Sequence, residues 1–91
     1  MTLMNIPLQP IPNQSVSFPL NGMSYTIDVD TRLENIYISI FRDGEYVLRN
    51  RALRAYAPVG FGFQLADTLG TDDPEYTGLG SRWLLMGLSN E

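Results

Sequence analysis

Residues 21–30 read Asn21-Gly22-Met23-Ser24-Tyr25-Thr26-Ile27-Asp28-Val29-Asp30. The Asn-Gly pair opens a hairpin, because a type I′ turn needs positive φ at both central positions and these two residues accept it most readily. The residues that follow alternate strictly. Met23, Tyr25, Ile27 and Val29 fall on one side, and Ser24, Thr26, Asp28 and Asp30 on the other. That is the period of a strand with one buried and one wet face. Toward the N-terminus, residues 15–20 place Val16, Phe18 and Leu20 on one face. Pro19 falls opposite them and lacks a ladder donor, which predicts an edge strand or one broken by a bulge. Toward the C-terminus, a polar turn over residues 31–35 leads into Ile36-Tyr37-Ile38-Ser39-Ile40-Phe41. Here both faces are largely apolar, so a central strand is expected. Asp43-Gly44 is a second hairpin turn with the same φ requirement, and it leads into residues 45–49.

The remaining chain extends the pattern. Residues 49–57 are rich in Ala and Arg and are helical by propensity alone. Their neighbours all read as β, so a strand or a bent continuation is expected. Pro58-Val59-Gly60 reads as a break. Phe61, Phe63, Leu65 and Asp67 then alternate with Gly62, Gln64 and Ala66, and residues 83–88 form a final apolar run. Between these two strands lies a long loop, residues 69–81. Loops of this length in compact domains are usually functional or disordered. Pro74, Tyr76 and Leu79 favour order, with Trp83 as the anchor at its end. At the N-terminus, Pro7, Pro10 and Pro12 forbid a helix or a central strand, so the segment should be extended, at an edge or as an arm. The expectation is one all-β domain over residues 1–91, with an extended Pro-rich arm (1–13) and a β-core (14–91). The architecture is a small antiparallel β-barrel or β-sandwich of six to seven short strands.

Composition narrows the function. The 91 residues include no Cys and no His, which removes disulfides and the usual zinc sites. Association with other copies is the staple left to a domain this small. All six basic residues are Arg, and ten acidic residues bring the net charge to −4. Such a chain lacks the electrostatic footprint for a phosphate backbone, and no nucleic-acid binding is expected. No apolar run approaches the roughly 18 residues of a membrane span. The first residues carry no basic region before an apolar core, so synthesis in the cytoplasm is expected.

Without His, Cys or Lys, the common nucleophilic arrangements are not available. The carboxylates Asp67, Asp72, Asp73 and Glu75 remain. A polar turn rarely supplies the burial that tunes an acid for catalysis, so solvated groups are expected. Asp72-Asp73-Pro74-Glu75 fits no calcium-loop spacing and suits turn formation better. Gly78-Leu79-Gly80 lacks a Lys and precedes a strand, which excludes the phosphate-binding fingerprints. Neither a metal nor a cofactor is expected. Arg82 is expected to stack beside Trp83 or pair with Glu75 or Asp73 across the loop. Tyr25, Tyr37, Tyr46, Tyr56, Tyr76 and Trp83 offer an alternative function, a small β-barrel binding a saccharide or peptide. Most sit at period-two positions, where packing is the commoner role.

Two blocks carry a resemblance. One is Ile6-Pro7-Leu8-Gln9-Pro10-Ile11-Pro12-Asn13-Gln14; the other is Asp73-Pro74-Glu75-Tyr76-Thr77-Gly78-Leu79-Gly80-Ser81-Arg82-Trp83-Leu84-Leu85. With Asp43-Gly44 and Gly60-Phe61-Gly62-Phe63 in similar order between them, the chain resembles the small tailed-phage baseplate plug proteins, associated with the central hub of contractile tails. The resemblance implies a non-enzymatic β-module of the virion tail, with no catalytic residues to carry over. Its implied partners are other copies of itself and baseplate hub, spike or tail-tube proteins. The Arg-rich stretch over residues 49–57 departs from the plainer strand expected of the family. The interface positions implied by the matched blocks are Pro7, Gln9, Pro10 and Pro12 in the first. In the second they are Asp73, Pro74, Glu75, Tyr76, Arg82 and Trp83.

Overall fold

The hairpin turns form where the residue pairs demand. Asn21 and Gly22 have φ of 53° and 79°, and Asp43 and Gly44 have φ of 49° and 92°. They connect β2 (Gln14–Leu20), β3 (Met23–Arg32), β4 (Asn35–Arg42) and β5 (Glu45–Ala52) into one antiparallel sheet, in that order. Pro19 lies on the edge strand β2, and β4 is flanked on both sides, as the apolar patterns require. Residues 49–57 continue β5 as far as Ala52, with a register shift against β4, and then turn away. These positions come from a computed structural model that describes residues 2–33 and 35–89. Glu34 in the polar turn, and the ends of the expected arm and core at residues 1 and 90–91, lie outside the described residues.

The second sheet has the order β1 (Thr2–Ile6), β8 (Trp83–Ser89), β7 (Phe63–Asp67) and β6 (Pro58–Gly60), also antiparallel. The two sheets are not closed into a barrel, and the fold is a sandwich of two four-stranded layers. β1 and β6 are additions to the strands read from the sequence. β1 lies within the stretch read as an extended arm; it pairs along β8, and Ile6 and Leu8 are buried. β6 occupies the stretch read as a break, and its pairing with β7 carries a register shift. Phe61 and Gly62, expected to begin a strand, instead form a third turn with positive φ, 56° and 86°. A bulky residue seldom adopts that conformation. Here the Arg42 guanidinium sits over the Phe61 ring at 5.3 Å, tying the turn to the opposite sheet.

The inward faces build one core. Tyr25, Ile27, Val29, Ile36, Ile38 and Ile40 come from the first sheet, and Ile6, Phe63, Leu65, Trp83 and Leu85 from the second. An aromatic group bridges the layers: Phe63 meets Phe18 and Tyr25 edge-on, at centroid distances of 6.1 and 5.4 Å. Gly87 lies beneath Phe63, and a Cβ there would stand 3.0 Å from the ring. Truncating this ring opens a cavity in both layers, so Phe63→Ala should cost about 3–5 kcal/mol in urea unfolding. Phe61→Ala, two residues away on an exposed turn, should cost less than about 1 kcal/mol.

Candidate functional site

The alternation of β7 carries Asp67 inward behind Phe63 and Leu65, which leaves a carboxylate only 2% exposed. A buried charge is tolerated only when paired and hydrogen-bonded. Asp67 receives four donors. Arg82 Nε donates to Oδ1 at 2.8 Å, and Arg82 Nη2 donates to Oδ2 at 2.9 Å. The amides of Leu69 and Asp72 complete the set at 3.0 and 2.9 Å. Of the two expectations for Arg82, stacking on Trp83 is present, at 4.3 Å, and pairing with Glu75 or Asp73 is corrected: its acidic partners are Asp67 and Asp72, the latter at 2.9 Å. Asp73 faces Arg54 instead, at 3.6 Å. A guanidinium fork matches both oxygens of a carboxylate at once, and the buried group takes it in preference to solvated loop acids.

The same contacts determine the protonation states. The Arg82 hydrogen bonds hold the Asp67 carboxyl well below the usual carboxylate range, against the opposing effect of burial, with the Leu69 and Asp72 amides assisting. Asp67 and then Asp72 raise Arg82 above its ordinary range. A general acid or base working near neutrality needs the opposite tuning for a carboxyl group. Asp67 is thus held in its anionic form.

Around this pair the loop is tied down. Thr68 donates to the Arg82 carbonyl through both its amide and its hydroxyl, each at 2.8 Å. Tyr56 donates its hydroxyl to the Asp67 carbonyl at 2.7 Å. Trp83, 4% exposed, donates Nε1 to the Asp72 carbonyl at 3.0 Å while Arg82 lies over its ring at 4.3 Å. Gly78 packs against that ring so closely that a Cβ would enter it. Gly80, at φ +84°, abuts the Leu8 carbonyl, so the loop and the N-terminal segment touch where only glycine fits.

The N-terminal segment is held as well. The Gln14 side chain accepts from the Gln9 amide at 2.8 Å and donates to the Gln9 carbonyl at 2.7 Å. Thr31 donates its hydroxyl to the Pro12 carbonyl at 2.7 Å, and its amide to Asn13 Oδ1 at 3.2 Å. Thr31 also borders a groove of about 400 Å³ lined by Leu33, Ile36, Asp73, Pro74, Glu75 and Tyr76. Through Thr31 the two sequence blocks meet at one end of the sandwich. Of the residues singled out from sequence, Asp73, Glu75 and Tyr76 are exposed on this groove, and Pro74 is buried in its wall. Pro7, Gln9, Pro10 and Pro12 are exposed beside the turn that Gln14 closes. Trp83 lies in the core behind the groove, and Arg82 is half-buried beside it. Leu33, which the sequence reading did not single out, also lines the groove; it is 97% exposed in a left-handed conformation, φ 57°. Its only signal was a leucine within a polar turn.

The Asp67–Arg82 pair gives a pH test with a definite sign. The folded-state pKa of Asp67 is depressed, so its contribution is present above the ordinary carboxylate value of 3.8 and fades as pH falls below it. Thermal unfolding followed by circular dichroism should show wild-type stability dropping through that acidic range. Asp67→Asn should melt lower at neutral pH and show a shallower acid dependence. A variant melting like wild type at neutral pH would contradict the assignment.

The geometry is that of a groove beside a tightly bonded loop, and it stands beside a direct comparison. The family model described as cyanophage baseplate Pam3 plug gp18 matches residues 3–90, nearly the whole chain. No curated protein matches it. The match covers both blocks and everything between them: the chain belongs to the cyanophage baseplate Pam3 plug gp18 family, and its role is that of a structural protein of a phage baseplate.

Proposed function

We propose that this baseplate protein plugs or adapts the central hub and tail tube through protein–protein contacts made by the groove end of the sandwich. The observation that carries the reading is the meeting of Pro12, Thr31, Leu33 and Tyr76 at one end, on a loop fastened from behind by Asp67, Arg82 and Trp83. Leu33 and Tyr76 stay 97% and 38% exposed in the isolated chain. A large apolar side chain held out on a tight turn costs solvation alone and is covered once a partner docks. Aromatic anchors near the centre of an interface commonly dominate its affinity. A fixed loop also binds without the ordering cost that a flexible one would add.

The remaining features fit the same role. Baseplate plugs are not an enzyme type, and the anionic state of Asp67 agrees with a structural use. Among the described residues no helix is long and apolar enough to cross a membrane. In this reading the chain is made in the host cytoplasm, associates with its own copies, and is built into the virion tail beside hub, spike or tube proteins.

The test is binding of the purified protein to the hub and tail-tube proteins of the same phage, measured by calorimetry. Wild type should bind at least one of them. The double variant Leu33→Glu with Tyr76→Ala should keep its melting temperature and lose at least about tenfold in affinity, about 1.4 kcal/mol. Undiminished binding by the double variant would move the contact elsewhere, and failure of wild type to bind either protein would overturn the reading.

A further inference from the structure

We infer that the groove between the Thr31 turn and the long loop takes a basic segment of a partner protein. An arginine or lysine side chain of that segment meets Asp73 and Glu75, and its apolar neighbours cover Leu33 and Tyr76. This rests on the reading that the groove end is the docking surface, and it specifies the chemistry of what docks there.

Charge makes the first selection. Asp73 and Glu75 line the groove, and none of the six arginines does. Those arginines are engaged elsewhere. Arg82 is held by Asp67 and Asp72. Arg32 donates to Asn50 at 3.0 Å, and Arg51 donates to the Val59 carbonyl at 3.3 Å. Arg42 and Arg49 lie over the rings of Phe61 and Tyr46. Arg54 faces Asp73 at 3.6 Å, but the two side chains are 43% and 61% exposed, and a pair so open to water contributes little. Glu75 is left with neither a side-chain hydrogen bond nor an ion pair among the described residues. The groove therefore carries negative charge that this chain does not answer.

The walls make the second selection. Ile36 and Pro74 are buried in the lining, and Leu33 and Tyr76 stand exposed beside the two acids. A long basic side chain suits both parts at once, because its aliphatic stem lies on apolar surface while its head reaches a carboxylate. The Tyr76 ring adds a face on which a cation can rest. A second copy of this chain is a poor occupant of this groove. It brings a net charge of −4 with its arginines already engaged, so acid would meet acid.

The experiment is calorimetry of the full chain with the hub and tail-tube proteins of the same phage, at about 0.05 and 0.5 M sodium chloride. Wild type is compared with Glu75→Gln, Glu75→Arg and Tyr76→Ala. Glu75 is exposed and unpaired, so its variants should keep the wild-type melting temperature. Wild type should bind at least tenfold more weakly at high salt. At low salt Glu75→Gln should lose about threefold in affinity and Glu75→Arg at least tenfold, and both losses should shrink at high salt. Tyr76→Ala should weaken binding at either salt. Salt-independent binding by wild type, or Glu75→Arg binding as well as wild type while Tyr76→Ala binds weakly, overturns the basic partner and leaves the groove as the docking surface. Undiminished binding by Glu75→Arg and Tyr76→Ala alike overturns both readings, as does failure of wild type to bind either protein.

Discussion

A carboxylate buried at the end of β7 cannot stand alone, and much of the molecule's least regular region follows from how it is answered. Asp67 takes both oxygens' worth of the Arg82 fork and two loop amides. A lysine would offer a point charge with no second, parallel hydrogen bond; arginine's planar fork meets both oxygens and fixes an orientation. That orientation lays Arg82 over Trp83 and draws the Asp72 carbonyl onto the indole nitrogen. The chain between β7 and β8 is thus gathered around one ion pair. Removing Arg82 leaves the Asp67 charge in a place that excludes water.

The close approaches are consequences of the same gathering. With Trp83 turned into the core, the chain passes over its ring at Gly78 and against the Leu8 carbonyl at Gly80. Neither passage leaves room for a side chain. The N-terminal segment is held where Leu8 meets the loop, where β1 pairs with β8, and where Thr31 and Gln14 bond to the turn before β2. A small domain with no disulfide gains its cohesion from such ties between distant parts of the chain. The end of the sandwich bearing Leu33 and Tyr76 owes its definition to them, and a baseplate component that works by shape depends on that definition.

Much of the fold was legible because its determinants are local. Asn21-Gly22 and Asp43-Gly44 specify turns within two residues, and the alternation in β3 and β4 specifies which face is buried. Pro19 and the two apolar faces of β4 correctly gave edge and centre. Phe61-Gly62 was not legible as a turn, because an aromatic residue in a left-handed conformation is held there by Arg42 of the other sheet. The stacking of Arg82 on Trp83 was legible from their adjacency, but its acidic partners were not, for a related reason. Loop spacing brought Asp73 and Glu75 to notice, whereas Asp67, at the end of a strand, was expected to be solvated with the other acids and is instead buried. The alternation that placed it beside Phe63 and Leu65 was the available signal of its burial.

The sequence by itself determined an all-β chain, the hairpins of one sheet, the inward faces of the strands and the absence of histidine, thiol and amine side chains. Its two blocks, of which the second is the specific one, also carried the resemblance to baseplate plugs, the family whose model matches residues 3–90. Only the tertiary structure decided sandwich over barrel, the pairing of β1 with β8, the partner of Arg82 and the meeting of the two blocks at one end. Turns and strand faces depend on residues a few positions apart, and sequence patterns record them. Which strands become neighbours, and which charge faces which, depends on contacts between segments far apart in the chain, and those exist only once the layers have packed.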